Sequence, residues 1–408
     1  MRAVMGIAAF ILTAVACSAN AAAIRWRTVA WGIGLQLALG IFILRFSIGG
    51  VRPGYAAFSA IADVATAFMG FTSAGSEFVF GVLADPAAME QVFPTGLVLA
   101  FAALPIIIFA SSVFTVLYYL GILQVAVSLM ARAMMPLMRT SGAESLSAAA
   151  NVFLGQTEAP IVVRPYIPKM TQSELLALMT GGLATIAGSV FAIYVSLGAD
   201  PVAMLTGSVM AAPCGLYLAK ILLPETDQPA TAGRAVISRE RQHVNLVDAA
   251  ASGAASGMQL AFNVAAMLIA FLAFIAMIDA MLGFVRPGLS MAGIFAFLFA
   301  PVAALLGVPP ADIPAVADLL GTKLVTNEFV AYVKMGGEYA TTLSDRGRTL
   351  VTFALTGFAN FGSIGIVLGG IGSMAPDRRV DLARLSGRAL LAGFTATMIN
   401  ACVAALLL

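Results

Sequence analysis

Eight stretches of this sequence are apolar for long enough to cross a bilayer, which takes about 20 residues of helix. They fall near residues 3–22, 28–48, 96–129, 174–197, 202–223, 258–284, 348–373 and 387–408. Inside hydrocarbon no water is available to the backbone, so its amides and carbonyls must bond one another, and such a chain folds as packed helices. Composition agrees. Charged residues make up only 10% of the chain and hydrophobic residues 61%, against about 25% charged in an ordinary soluble domain. The net charge of +2 is too small to point to nucleic acid. Cys17, Cys214 and Cys402 are scattered and odd in number, which suits neither a disulfide scaffold nor a metal cluster. His243 is the only histidine and lies in a charged run over 225–243. With no phosphate-binding loop, dinucleotide fingerprint or zinc motif, an ATP-driven pump would need a separate nucleotide-binding subunit.

The start of the chain admits two readings. Met1 to Ala23 has a basic residue, an apolar run and small residues, as a signal peptide does, and Ala14–Cys17 resembles a lipoprotein cleavage site. A first membrane helix followed by Ile24-Arg25-Trp26-Arg27 and a second apolar run is the preferred reading. Residues 54–80 mix small and aromatic residues with Asp63 and Glu77 and suggest an interfacial helix.

Two further regions, 134–168 and 290–335, are apolar but broken. Pro136, Gly142, Gly155 and Pro160 interrupt the first; Pro301, Gly307, Pro309, Pro310, Pro314 and Gly321 interrupt the second. Both read as helical hairpins that enter and leave on one side, which survives only against protein or water. With both termini outside, 14 of the 22 lysines and arginines fall on the inner face, seven on the outer, and Lys323 within the second hairpin. That bias follows the positive-inside rule.

The two broken regions carry a repeated phrase. Asn151-Val-Phe-Leu-Gly155-Gln156-Thr157-Glu158-Ala-Pro160 has its counterpart in Gly321-Thr322-Lys323-Leu-Val-Thr326-Asn327-Glu328-Phe329. Met135-Pro136 precedes the first and Ala300-Pro301 the second. A membrane segment interrupted by small and polar residues follows each: Thr180-Gly181-Gly182 to Gly188-Ser189, and Thr356-Gly357-Phe358-Ala359-Asn360-Phe361-Gly362-Ser363. Three crossings separate the hairpins, so they enter from opposite faces. The expected fold is an all-α polytopic membrane protein with eight transmembrane helices, two re-entrant hairpins and an inverted repeat with broken helices. That plan belongs to secondary transport, with the site at the midplane.

A carboxylate in hydrocarbon costs about 2.5–3.5 kcal/mol even on the mildest scale. Glu158 and Glu328 therefore need an internal partner or a polar ligand. They accept hydrogen bonds from the hydroxyls of an uncharged solute, carry a proton, or cap hairpin helices. Gln156, Thr157, Thr326 and Asn327 flank them, and an amide matches the edge of a heterocyclic base as well as it satisfies hairpin backbone. Thr185, Asn360 and Ser363 lie in the interrupted helices, with Phe358 and Phe361 offering an aromatic face or simply packing. Gly181, Gly182, Gly188, Gly357, Gly362 and Gly365 permit close packing or unwinding. Asn151, the carbonyls of Leu154 and Ile186, and the hydroxyls of Thr157 and Thr185 form a set of hard, neutral oxygens suited to a monovalent cation. Lys323 pairs with Glu328 or Asp318, or reaches toward the surface.

Taken together, Gly155–Pro160, Pro165-Tyr166, Met170-Thr171, Ser173-Glu174, Ala187–Val190, Asn327–Tyr332 and Phe358–Gly365, with Ile24–Val29 near the start, resemble the bacterial concentrative nucleoside transporters over almost the whole chain. The resemblance implies a homotrimeric symporter of the bacterial inner (cytoplasmic) membrane. Its scaffold, including helices three and six, makes the trimer contact, and a transport domain carrying the hairpins moves across it as an elevator. It implies that Gln156, Thr157 and Glu158 meet the nucleobase beside Val190, and that Glu328, Asn360 and Ser363 hold the ribose beside Phe358. It implies a sodium ion at Asn151, Leu154, Thr185 and Ile186; Thr185 stands where a serine is familiar but keeps the hydroxyl. The expected substrate is a nucleoside such as uridine, the coupling ion Na+, with H+ as the rival. The domain boundaries expected are 1–130 for the N-terminal helices, interfacial helix and third helix, 131–200 for the first hairpin and broken helix, 201–288 for linking and scaffold helices, 289–373 for the second hairpin and broken helix, and 374–408 for the C-terminal helix. A carrier of another polar solute, a channel and an intramembrane enzyme are the competing classes. An enzyme fits least, because no nucleophile or metal cluster accompanies the two carboxylates.

Overall fold

The computed structural model describes residues 1–85, 88–89, 99–102, 104–233 and 243–408. Among these the chain is helical almost throughout, with a single antiparallel bridge between Ile48 and Val51. Among the described residues six helices are long and apolar enough to cross a membrane, or seven if one bent pair counts as a span. The expected polytopic helical class holds, and the difference from eight has local causes. The first apolar stretch forms α1 (Arg2–Ala16), which stops at 15 residues. The stretch near 348–373 is split into two short helices. Residues 54–80, expected to lie in the interface, form one 28-residue helix, α3 (Pro53–Phe80), which by length and hydropathy qualifies as a crossing. It follows α2 (Trp26–Gly40).

The stretch near 96–129 is not one straight helix; its start lies partly outside the described residues. Gly121, at φ +83°, ends α4 (Leu104–Tyr119) and opens α5 (Ile122–Met138), and the two axes bend by 71°. Pro136 lies inside α5 rather than at a hairpin entrance. The first hairpin then comprises α6 (Gly142–Ala150), a tip over 151–158, and a 3-10 stretch over Ala159–Lys169. Pro165 and Pro168 keep that second limb from becoming an α-helix, because each removes an amide donor. α6 and α7 (Gln172–Ala184) both begin on capping boxes, Ser141 with Glu144 and Thr171 with Glu174, which satisfy helix-end amides that lipid would leave bare. After a break over Thr185–Ala187 the chain resumes as α8 (Gly188–Ser196), then α9 (Pro201–Leu222) and α10 (Leu246–Val285).

The second half repeats this order. α11 (Met291–Leu305) contains Pro301 as α5 contains Pro136. α12 (Ile313–Val325) and α13 (Glu328–Gly336) form the hairpin, with Thr326 and Asn327 at its tip. The broken helix is α14 (Asp345–Leu355) and α15 (Phe361–Met374), and α16 (Arg379–Leu407) closes the chain. The hairpin expected over 290–335 is thus α12–α13 alone, with α11 a separate helix before it.

Burial divides the molecule. The most apolar windows of the α7–α8 pair, α9 and α16 are 94%, 89% and 72% buried, whereas those of α3 and α10 are 19% and 12% buried. α10 touches the rest mainly along α4. A Cβ on Gly253 would lie 2.7 Å from Ser112 Cα, and one on Gly257 2.7 Å from Ile108 Cα. This small-residue pair lets two membrane helices meet backbone to backbone. The other faces of α10, carrying Phe262, Ile269, Phe274 and Met281, are exposed, as lipid-facing or subunit-facing surface must be.

Candidate functional site

The breaks in the two repeats meet. Phe358 N–H donates to the carbonyl of Thr185 at 3.2 Å. Gly357 has φ +151°, and a Cβ there would stand 3.0 Å from the carbonyl oxygens of both Leu183 and Ala184. α7 and α14 therefore bring their C-terminal ends together. α8 and α15 start from the same region, and their N-terminal residues turn to a cavity of about 440 Å³. A helix N-terminus carries about half a positive charge and unbonded N–H groups, so an oxygen-rich or anionic group is favoured there.

All eight side chains that the resemblance assigned to the solute line this one cavity: Gln156, Thr157, Glu158, Val190, Glu328, Phe358, Asn360 and Ser363. The first hairpin contributes three, α8 one, the second hairpin one, and the second broken helix three. Glu328 is the first residue of α13. Its Oε1 accepts from the Tyr194 hydroxyl at 2.9 Å and its Oε2 from Asn360 Nδ2 at 2.9 Å. Asn360 Oδ1 meanwhile accepts from Ser363 N–H at 2.7 Å and so caps α15, which locks the amide orientation toward Glu328. Asn327 Oδ1 caps α13 through Val330 N–H at 2.9 Å. Glu158 closes its own tip turn, accepting Gly155 N–H at 2.9 Å on Oε2. The capping foreseen for the two carboxylates falls instead to Asn327 on α13, while Glu158 closes only its own turn and Glu328 bonds two side chains; both keep acceptor capacity over, since a carboxylate offers about four lone-pair sites. Gln156 Oε1 and Ser189 Oγ are buried without a partner among the described residues. A buried unsatisfied polar atom costs about 1–3 kcal/mol, so two of them beside one cavity favour a polar occupant.

The cation set is brought together in part. Asn151 is fully buried, and its Nδ2 donates to Ser147 O at 2.9 Å while Oδ1 has no partner among the described residues. It presses on α7: a Cβ on Gly181 would lie 2.7 Å from Asn151 Nδ2, and one on Gly182 would lie 2.9 Å from Gln156 Cβ. These two glycines serve close approach; the unwinding is at Thr185–Ala187. Gly188 N–H donates to Phe153 O at 3.1 Å, and a Cβ on Gly155 would lie 3.1 Å from Ala187 Cβ, so the tip at 153–155 abuts the break at 186–188. The carbonyls of Leu154 and Ile186 accept no backbone N–H among the described residues. An orphaned amide oxygen and unbonded carbonyls are neutral oxygen donors of the type that suits a monovalent cation. Thr185 Oγ1 donates to Gly181 O at 3.0 Å. Thr157 lines the solute cavity, and its methyl packs where a Cβ on Gly370 would come within 2.9 Å.

Two expectations need correction. Phe361 is 58% exposed and does not line the cavity; of the two phenylalanines in the second break only Phe358 does, and the other aromatic rings there are Tyr194 and Phe329. Lys323 forms an ion pair with neither carboxylate and does not reach the surface: it is fully buried and donates to Ala354 O at 2.7 Å and Thr397 Oγ1 at 3.0 Å. Asp318 instead pairs with Lys334 and accepts from the Tyr339 hydroxyl. The cavity also has members that sequence reasoning missed. Tyr194 holds Glu328, and Ser256, Gln259 and Asn263 of α10 form one wall. Ser252, Ser256, Gln259 and Asn263 recur at helical spacing on a helix that, apart from Asp248 and Asp279, is otherwise apolar, and that stripe is the signal that marks them.

Three family models match the chain in succession: the Na+ dependent nucleoside transporter N-terminus over residues 5–83, nucleoside recognition ("Gate") over 100–201, and the Na+ dependent nucleoside transporter C-terminus over 203–405. An uncharacterised transporter of Haemophilus influenzae is 42% identical over 416 residues, covering 100% of this chain and 97% of its own length. Sodium/nucleoside cotransporter 1 of Mus musculus is 43% identical over 98% of this chain, which spans 63% of the mouse protein. The solved structure of CNTnw in an inward-facing substrate-bound state is similar with a TM-score of 0.93 at 41% identity, covering 100% of this chain and 97% of the other. A single-substitution variant of CNTnw in an intermediate state gives 0.93 at 41% identity, covering 100% and 99%. The full-length match at this identity, joined to two broken helices that close on one polar cavity, places this chain in the family of concentrative, Na+-dependent nucleoside transporters.

Proposed function

We propose that this protein imports nucleosides by symport with sodium, through elevator-type alternating access. One observation carries the reading: both repeats, through their hairpin tips and broken helices, supply eight side chains around a single cavity. A flat solute with a polar edge and a hydroxylated ring fits them. In this reading Gln156, Thr157 and Glu158 hold the base beside Val190, and Glu328, Asn360 and Ser363 hold the ribose beside Phe358. Sodium sits at Asn151, Leu154, Thr185 and Ile186, close to Thr157, and fixes the tip of the first hairpin so that Gln156 and Glu158 face the solute. Solute bridging the two repeats then removes the cost of exposed polar groups, and the loaded population shifts toward a state able to cross.

The rest of the architecture follows. The chain crosses the bacterial inner membrane eight times, counting α1, the bent α4–α5 pair and the α14–α15 pair as short or broken crossings and leaving α3 in the interface, with two re-entrant hairpins. Residues 131–200 and 289–373 form the moving domain; 1–130 and 201–288 provide the scaffold, and 374–408 the last helix. Three copies associate through α4 and α10.

The test is uptake of labelled uridine into sealed proteoliposomes under an imposed sodium or proton gradient. Sodium-driven accumulation is expected; uptake indifferent to sodium sinks the coupling. Deoxyuridine and free uracil should compete more weakly than uridine, since both lack hydroxyls that Glu328 would bind. Replacing the orphaned acceptor by Asn151→Ala should raise half-saturating sodium by about fivefold, the equivalent of the ~1 kcal/mol of one hydrogen-bond-like ligand. An unchanged sodium dependence removes Asn151 from the ion site.

A further inference from the structure

A second cavity, of about 360 Å³, lies where the start of α2, the end of α5, the start of α6 and the end of α9 meet. It shares no lining residue with the solute cavity. The charge bias of the loops puts these helix ends on the inner face of the membrane.

Three cationic side chains line it, Arg25, Arg139 and Lys220, with two carboxylates, Glu144 and Glu225. Both carboxylates are taken by the lysine. Lys220 Nζ lies 2.6 Å from Glu144 Oε2 and 3.2 Å from Glu225 Oε2, and it donates to Ser173 Oγ at 2.9 Å. Glu144 Oε1 also accepts Ser141 N–H at 2.6 Å, and Glu225 Oε2 accepts the Thr171 hydroxyl at 2.8 Å. Glu174, which accepts the Ser141 hydroxyl at 2.5 Å, takes Thr171 N–H at 2.9 Å and stays with the start of α7. Arg25 and Arg139 are left over. Both are exposed, and among the described residues neither guanidinium makes a hydrogen bond or an ion pair.

The backbone at Arg139 is unusual. At φ +54° it is the only residue other than glycine with a positive φ among the described residues. It follows the last turn of α5, where glycine is the usual choice and any residue with a Cβ is strained. Arginine there adds a guanidinium to the cavity wall. Met135, Pro136 and Pro224 make other parts of that wall apolar. Trp26, next to Arg25 in the chain, is exposed, as aromatic residues at a membrane–water boundary are. The planar fork of a guanidinium matches phosphate oxygens. Basic pockets between membrane helices on the cytoplasmic side take anionic headgroups. Apolar walls beside two such forks suit a phosphate carrying glycerol and chains better than phosphate alone.

We infer that this cavity binds the phosphate headgroup of an anionic phospholipid of the inner leaflet. Arg25 and Arg139 hold it, and the lipid ties the start of α2 to the base of the first hairpin.

The experiment follows thermal unfolding of the full chain in detergent as phosphatidylglycerol is added, with phosphatidylcholine as the neutral comparison. Phosphatidylglycerol is expected to raise the midpoint and phosphatidylcholine to leave it. Arg25→Gln should raise the half-saturating phosphatidylglycerol about tenfold, the loss of one charge-assisted bond. Arg27→Gln, beside it in sequence but absent from the cavity wall, should leave that value alone. Arg139→Gly separates binding from folding. Glycine suits φ +54°, so this variant should unfold no earlier than the unaltered protein without lipid, yet lose most of the response to phosphatidylglycerol. An arginine that only balances the end of α5 would give the opposite result, an earlier unfolding with the lipid response intact, and that overturns the inference. Equal weakening by Arg27→Gln and Arg25→Gln overturns it too, since surface charge in general would then be responsible. Inorganic phosphate or glycerol phosphate raising the midpoint at the same concentration would make the ligand a soluble phosphate and overturn the lipid. Should Arg25→Gln not fold, the Arg139→Gly comparison decides alone.

Discussion

Uridine uptake by Glu328→Gln is expected to fall by about ten- to a hundredfold while the protein still folds. The fold survives because the amide keeps both existing neighbours. Its oxygen still accepts from Asn360 Nδ2, and its NH2 donates to the Tyr194 hydroxyl, which reverses its role from donor to acceptor. What is lost is the remaining capacity. A carboxylate that has accepted two bonds retains about two lone-pair sites, both on a charged group, whereas the amide oxygen retains about one and is neutral. Hydrogen bonds to a charged group contribute about 1.5–3 kcal/mol, which at 1.4 kcal/mol per tenfold gives the stated loss. The readout that separates ribose binding from general damage is the nucleoside panel. In the unaltered protein deoxyuridine should compete less well than uridine, and in Glu328→Gln that gap should narrow. Near-normal uptake, or a gap of the same size, removes Glu328 from the ribose role. An unfolding midpoint within a few degrees of the unaltered protein is needed for the comparison to count.

The weight placed on Glu328 is legible in the sequence, because a carboxylate between apolar runs has few uses. Glu158 and Glu328, with their flanking amides and hydroxyls, stand out from a membrane sequence by polarity alone, and the repeat ties them to one site. The interrupted segments are equally legible: Gly, Thr, Asn and Ser in a span are poor lipid-facing residues. Features that polarity does not mark escape such a reading. Tyr194 sits in an apolar helix and reads as packing until its hydroxyl is seen on Glu328. The bend at Gly121 lies within a run of unbroken hydrophobicity, where a single φ of +83° decides the path and leaves no mark on the pattern. The partners of Lys323 come from residues 31 and 74 positions away in the chain, a distance over which spacing arguments have no reach. Phe361 fails for the opposite reason: its neighbours in sequence, Asn360 and Ser363, face the cavity, but one step along a helix turns a side chain by about 100°.

The joint between the two broken helices should be the least tolerant place in the molecule, and Gly357→Ala is expected to destabilise it by about 2–6 kcal/mol. Two separate costs add. The φ of +151° at Gly357 lies where side chains other than hydrogen are strained, at about 1–3 kcal/mol. The new methyl would also stand 2.7 Å from Thr397 Cγ2 and 3.0 Å from the carbonyl oxygens of Leu183 and Ala184, and overpacking of this kind costs another ~1–3 kcal/mol. Neither neighbour yields freely. The two carbonyls are backbone at the end of α7, and Thr397 accepts a hydrogen bond from Lys323, so relief on one side disturbs the cation on the other. The loss should appear as a lower unfolding midpoint in detergent and as reduced uridine uptake, because the same joint sets the distance between the two halves of the cavity. Gly387→Ala in α16 is the matched control. A Cβ there meets nothing within 4 Å, and replacing an exposed helical glycine should stabilise by about 0.5–1 kcal/mol. If Gly357→Ala unfolds no more easily than Gly387→Ala, the two repeats are not locked at this contact, and the close approach of α7 to α14 loses its energetic role.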